Sequence, residues 1–460
     1  MKEVKKNKSR EIAFETLMSI EKGEDGGRAD LLLKGVLEKH SYMDRRDRAF
    51  IKRLVTECIK RRIYLDHCID CFSKTPAKKC RPAIRVIFRM GICQLYFFDG
   101  VPARAAVNES VELAVKKGFT SLKGYVNAVL RTAERSRNEI ETKLPDKKKS
   151  LEKFLSIKYS VPEWIVKEFL ISFGEERTEN TLAASLKERG VNVRYRGEDE
   201  AAWLDTLKES GITVLKNPLI EHVYELSGTS GMEELPGFNE GKAAVQDMSS
   251  MLAVKAAGIK SGDTVIDLCA APGGKCCFAA ELAGSEGRVY AFDISEKKTE
   301  LIDENYERLG LSNIETAVGD ATVFNEELAG KADVVICDLP CSGLGVMGRK
   351  ADLKYRVTSA DVDSLAELQI KILKNATSYV KAGGTLVFST CTVDRRENEE
   401  NVRRVLEDHD GFGLKAADIK DRLPAALAGM CEGNHVQLLT GEPADMPLMD
   451  GFFISVFTKE

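Results

Sequence analysis

From Gln246 to the C-terminus, five apolar, β-rich runs alternate with helical patterns, and no other feature restricts the possible folds so strongly. The runs are residues 264–268, 288–292, 314–318, 333–337 and 385–389. Strands separated by helix-length segments cannot pair through tight hairpins, so the expected arrangement is a parallel sheet covered by helices. Upstream the pattern differs. Residues 9–137 repeat apolar positions at helical spacing, as in Ile12, Leu17 and Ile20 and again in Val107, Val111, Ala114 and Val115. Between these two regions, residues 191–196, 212–215 and 222–226 read as strands and residues 200–209 as a helix.

A chain of 460 residues exceeds one ordinary core. The three patterns therefore divide it into an all-α domain, residues 1–145; a small α+β domain, residues 151–240; and an α/β domain, residues 241–460. Pro145 and the Lys147 to Lys149 run mark the first linker. The N-terminal stretch is basic and lacks a signal-peptide core. The most apolar window, residues 83–98, carries Arg85 and Arg89 and reads as a buried helix of a cytoplasmic protein, with no membrane contact. Net charge is -4, unevenly spread. Residues 1–150 hold 34 Lys and Arg against 20 Asp and Glu, a balance of +14, whereas the remainder holds 34 against 52, a balance of -18. A basic helical segment on an acidic remainder points to a polyanionic partner.

Val265-Ile-Asp-Leu-Cys-Ala-Ala-Pro-Gly-Gly-Lys275 is an apolar strand that runs through a glycine turn into a helix. In an open α/β sheet, ligands bind beyond the carboxyl ends of the strands, and glycines let them approach the backbone. Asp293 ends the next strand about 20 residues further on, the spacing at which an acid accepts ribose hydroxyls. Asp320 follows the third strand, within reach of an adenine amino group. Spacing alone supports an adenosine-containing ligand and no more.

Ala270-Ala-Pro-Gly-Gly-Lys275 with Asp293, Asp320 and Asp338 resembles the S-adenosylmethionine site of the RNA 5-methylcytosine methyltransferases, a Rossmann-like fold. Gly124-Tyr-Val-Asn-Ala-Val-Leu-Arg131, after Val101-Pro102, resembles the NusB-like helical RNA-binding domain. With Gly241-Lys-Ala-Ala-Val-Gln-Asp-Met-Ser-Ser250 and Asp450-Gly-Phe-Phe453, the whole chain is similar to the RsmB (Sun, Fmu) family of 16S ribosomal RNA methyltransferases. The resemblance implies S-adenosyl-L-methionine as cofactor, held by Cys269, Ala270, Ala271, Pro272, Gly273, Gly274, Lys275, Asp293, Asp320 and Asp338. It implies 16S ribosomal RNA as partner, unassembled or early in assembly, with no obligatory protein partner. Two positions depart from the family pattern: Ala351 stands in place of a proline and Arg196 in place of an asparagine.

In that family a Pro-Cys and a Thr-Cys motif occur together, and Pro340-Cys341 and Thr390-Cys391 match them. The resemblance makes Cys391 the nucleophile, Cys341 the residue that assists product release and Asp338 the contact to N3 of the base. The chemistry calls for such a thiol, because carbon 5 of cytosine is too weak a nucleophile until a thiolate adds at carbon 6. Three other readings remain open on the sequence. Cys68-Ile-Asp-Cys71 with Cys80 and Cys93 could bind zinc, although no second CxxC accompanies it and no metal site is expected. The chain could also be an RNA-binding factor without chemistry, or a methyltransferase of small molecules.

Overall fold

Apolar residues at helical spacing in the first segment lie on the inner faces of seven helices: Lys2–Glu21, Ala29–Lys39, Arg45–Lys60, Arg62–Phe72, Pro82–Phe97, Ala103–Lys116 and Lys123–Arg135. Ile51, Leu54, Leu65, Ile69, Phe88, Val107 and Leu130 close their common core. The helix Pro82–Phe97 contains the most apolar window and lies buried at its centre. It accommodates arginine because Arg89 is paired there: Nε donates to Asp66 Oδ1 at 2.6 Å and Nη1 donates to Glu21. Burial without those carboxylates would be costly.

This computed structural model describes residues 2–24, 28–229, 231–407, 409, 411–444 and 446–460; Met1, at the head of the basic stretch, lies outside them. The chain divides into two compact units, Met1–Leu186 with Met347–Arg356, and Lys187–Val346 with Val357–Glu460. Residues 347–356 thus belong to the helical unit. Ala351, one of the two departures, is buried in its core. Lys354 Nζ donates to the Lys60 carbonyl at 3.0 Å, ending the helix Arg45–Lys60, and Arg62 stacks 3.7 Å over the Tyr355 ring.

The second unit opens with β1 (Val191–Tyr195), β2 (Thr213–Lys216), β3 (Val223–Ser227) and β4 (Ala243–Val245), an antiparallel sheet in the order β2-β3-β1-β4. Trp203, on the helix Glu200–Glu209, covers it by stacking on Tyr195 at 4.7 Å. Arg196, the other departure, holds a turn: it donates to the carbonyls of Gly241 and Leu309, both at 2.8 Å, and pairs with Glu281.

The large sheet contains β5 (Thr264–Asp267), β6 (Arg288–Asp293), β7 (Ile314–Val318), β8 (Ala332–Asp338), β9 (Val380–Thr390), β10 (Leu414–Ala416), β11 (Cys431–Glu432), β12 (His435–Leu438) and β13 (Phe452–Lys459). Its order is β11-β12-β13-β9-β8-β5-β6-β7, with β10 also on β13. The expectation of a parallel sheet holds for β7, β6, β5, β8 and β9. It fails beyond β9, where β13 pairs antiparallel, Phe453 opposite Thr390, and β12 pairs antiparallel on β13. The sheet is mixed.

Candidate active site

Strands β5 and β8 are neighbours, but the chain proceeds from β5 to β6 and β7 on one side before returning to β8 and β9 on the other. At this reversal the loops diverge and leave a crevice at the carboxyl ends of the strands. Asp267 ends β5, Asp293 ends β6, Asp338 ends β8 and Thr390 ends β9, directly before Cys391. The turn after β5 reaches the helix Gly274–Ala283 through Gly273 at φ 108°, where any side chain is strained and an added Cβ would stand 3.3 Å from Ile302 Cα.

A cavity of about 270 Å³ occupies the crevice. Cys269, Ala271, Asp293, Asp320, Asp338, Cys341 and Cys391 all line it. Beside it, Val318, Val323 and Phe324 border a second hollow of about 320 Å³ that shares Leu268, Gly319, Asp320 and Ala321 with the first. All three are exposed apolar side chains, a surface suited to a flat ring. Pro272, Gly273 and Gly274 do not line the crevice; they border a smaller recess with Gln246 and Arg308. Ala270 is buried.

Asp293 is 4 % exposed and already serves the turn. Its Oδ2 accepts Ala271 N–H at 3.0 Å, and its Oδ1 accepts Ile294 N–H and Lys298 Nζ, both at 2.8 Å. Asp320 caps its own loop: Oδ1 accepts both the N–H and the hydroxyl of Thr322, which holds the carboxyl below its usual range. Its Oδ2 has no hydrogen-bond partner among the described residues.

Asp338 accepts Lys275 Nζ at 2.7 Å on Oδ2 and Ser389 Oγ at 2.9 Å on Oδ1. Burial lowers the affinity of Lys275 for its proton, but the carboxylates of Asp338 and Asp267 outweigh it and hold the ammonium above its ordinary value, with Cys391 also in electrostatic reach. Asp267, fully buried and close to Asp338, is pushed up to about 7. The Cys341 and Cys391 sulfurs lie 3.3 Å apart, and hydrogen bonding between them, together with burial, keeps Cys341 protonated far above the ordinary thiol range.

The cysteines of the zinc reading are placed differently. Cys68 and Cys93 are packed in the helical core, while Cys71 meets His67 Nε2 at 3.5 Å and Cys80 donates to the Thr75 carbonyl.

Known proteins supply the family. The description "16S rRNA methyltransferase RsmB/F" matches residues 255–458, and the NusB family matches residues 7–135. A probable ribosomal RNA small subunit methyltransferase B of Bacillus subtilis (strain 168) is 34% identical over 461 residues, which covers 99% of this chain and 100% of that protein. The chain belongs to the ribosomal RNA small subunit methyltransferase B family. A probable member from Synechocystis is also 34% identical, over 88% of this chain and 90% of its own length. The crystal structure of PH0851 shares the fold, with a TM-score of 0.77 at 23% identity over 97% of this chain and 98% of that one. As a family member the protein is an S-adenosylmethionine-dependent ribosomal RNA methyltransferase. This membership replaces the readings as a non-enzymatic factor and as a small-molecule methyltransferase.

The crevice fits that cofactor on two counts. Asp293 and Asp320 retain acceptor capacity on one wall, and the apolar hollow adjoins them. Sequence reasoning overlooked Asp267 and Ser389 beside the named groups, and Ser342, Thr392 and Glu397 beneath the thiols. Ser342 and Thr392 follow the two cysteines directly. Glu397 gave a weaker signal, since an acid in a charged run usually faces solvent.

Proposed function

We propose that this family member transfers a methyl group to carbon 5 of a cytosine in 16S ribosomal RNA through a covalent adduct between Cys391 and carbon 6. The approach of the two sulfurs to 3.3 Å, beside the Asp338 carboxylate in one crevice, carries the reading. Cofactor contacts are assigned to Asp293 for the ribose, Asp320 Oδ2 for the adenine amino group and residues 269–275 for the turn that seats the rest. When bound, S-adenosylmethionine supplies an electrophilic methyl group.

The chain's own groups do the remainder. The target base must leave its stack to reach the crevice. Cys391 Sγ adds to carbon 6, with the Lys275 ammonium nearby to favour the thiolate. Asp338, positioned by Lys275 and Ser389, is assigned the contact to N3, where it must carry a proton to hydrogen-bond the nitrogen as electron density rises during addition. After transfer a base takes the carbon-5 proton, and Cys341, a neutral thiol at 3.3 Å, protonates the departing Cys391 sulfur.

The three-part division, with RNA docking in residues 1–145, an RNA-contacting or linking role for residues 151–240 and chemistry in residues 241–460, belongs to the same proposal. So does action in the cytoplasm on unassembled or early-assembling RNA without an obligatory protein partner; no helix among the described residues is long and apolar enough to cross a membrane. The test is nucleoside analysis of 16S transcript incubated with methyl-labelled S-adenosylmethionine. Label in 5-methylcytidine is expected, and label confined to any other nucleoside would overturn the assignment.

A further inference from the structure

Beneath the two thiols lies a buried polar cluster that the chemistry above does not use. Cys341 is followed by Ser342 and Cys391 by Thr392, and the two hydroxyl oxygens meet at 2.7 Å. Glu397, fully buried, reaches the first loop. Its Oε1 accepts Ser342 N–H at 2.9 Å and Gln369 Nε2 at 3.0 Å, and its Oε2 accepts the Ser342 hydroxyl. Gln369 Nε2 also donates to the Pro340 carbonyl at 2.9 Å, so the loop is gripped on both sides of Cys341.

The next residue does the same for the second loop. Asn398 Oδ1 accepts the Thr390 hydroxyl at 2.6 Å, and its Nδ2 donates to the Thr392 carbonyl at 3.2 Å, one contact on each side of Cys391. Two adjacent side chains on one backbone thus each hold one thiol loop directly, and the Ser342–Thr392 hydroxyl contact joins the loops. A buried carboxyl is costly unless several donors satisfy it, and the three bonds this one accepts come from Ser342, directly after Cys341, and from the glutamine that also holds Pro340.

We infer that Glu397 and Asn398 are positioning residues that set the separation of the two sulfurs, Glu397 by seating the Cys341 loop and Asn398 by seating the Cys391 loop. The division of labour follows from the contacts. Attack and methyl transfer need Cys391 in place, whereas release also needs Cys341 within proton-transfer distance of the departing sulfur. Glu397 should therefore govern release, and Asn398 should govern attack. Glutamine at position 397 keeps the volume and can still accept from Ser342 N–H, so the fold survives while the charged hydrogen bonds are lost.

The inference rests on the two-thiol reading above, and the experiment separates their failures. Full-length protein, 16S transcript and S-adenosylmethionine are followed in single turnover for methyl transfer and for decay of the protein–RNA adduct. Glu397→Gln should transfer methyl at close to the wild-type rate while its adduct decays roughly tenfold to a hundredfold more slowly, the effect of losing a hydrogen bond to a charged group. Asn398→Ala should slow methyl transfer by a similar factor and leave adduct decay nearly unchanged. Equal slowing of both steps in either variant would mean a merely structural role and overturn the inference. Cys341→Ala is the control: a lasting adduct there with wild-type decay in Glu397→Gln overturns the positioning role alone, whereas no lasting adduct with Cys341→Ala removes the two-thiol reading and this inference with it.

Discussion

A carboxylate offers about four acceptor positions, and Asp293 has three of them committed to Ala271, Ile294 and Lys298. One ribose hydroxyl can be accepted directly; the second requires Lys298, whose side chain is half exposed, to turn away. Asp293→Asn should raise the cofactor dissociation constant about tenfold to a hundredfold, the usual 1.5 to 3 kcal/mol of a charged hydrogen bond. Calorimetry on folded protein checks this, and an unchanged constant would remove Asp293 from the cofactor site. Asp267 makes a different prediction. With its pKa pushed up to about 7 in the folded protein against about 3.9 in an unfolded chain, folding holds the proton more tightly. That contribution is complete below about pH 4 and lost as pH rises through about 7. The difference in Tm between Asp267→Asn and wild type should therefore shift in the variant's favour from pH 5 to pH 8, and parallel profiles would contradict the assignment. Asp293 was legible because it ends a strand about 20 residues beyond a glycine turn, and Asp338 because it directly precedes the Leu-Pro-Cys341 stretch that resembles a known motif. Asp267 was hidden in the same pattern, since only its burial beside Asp338 distinguishes it.

At the scale of elements, the loops after β8 and before β13 meet backbone to backbone. Gly345 N–H donates to the Cys391 carbonyl at 3.1 Å, and Gly451 N–H donates to the Gly345 carbonyl at 3.0 Å. A Cβ on Gly451 would stand 2.8 Å from Val393 Cγ1 and 2.9 Å from Gly345 Cα. Gly451→Ala should push the Cys341 loop off β13, costing about 1–3 kcal/mol in stability and lowering methyl transfer more than cofactor binding. Thermal unfolding and activity measured together check it; wild-type values in both would mean that the loops have room to spare. The parallel part of the sheet was legible from alternating strands and helices. The antiparallel β13 was not, because strand direction depends on the path of the connection, and residues 391–451 carry no period that reveals it. Strand β4 was missed for a simpler reason, since Ala243–Val245 is too short to show alternation.

For the whole molecule, the +14 against -18 partition predicts that the helical segment supplies RNA affinity through phosphate contacts. Deleting residues 1–145 is a poor test, because Ala351 and its neighbours would lose the core in which they are buried. Replacing the exposed Lys78, Lys79, Arg81 and Lys123 with glutamine leaves that core intact. The variant should bind 16S RNA more weakly and with a shallower salt dependence, by up to about 0.9 per lost phosphate contact, while binding the cofactor as before. An identical salt slope would place the RNA surface elsewhere. The proposed division, in which Cys391 attacks and Cys341 releases, is read on a denaturing gel of each cysteine variant with 16S RNA and S-adenosylmethionine. No covalent adduct is expected with Cys391→Ala, and a methylated adduct should accumulate with Cys341→Ala. An adduct with Cys391→Ala and none with Cys341→Ala would contradict that division.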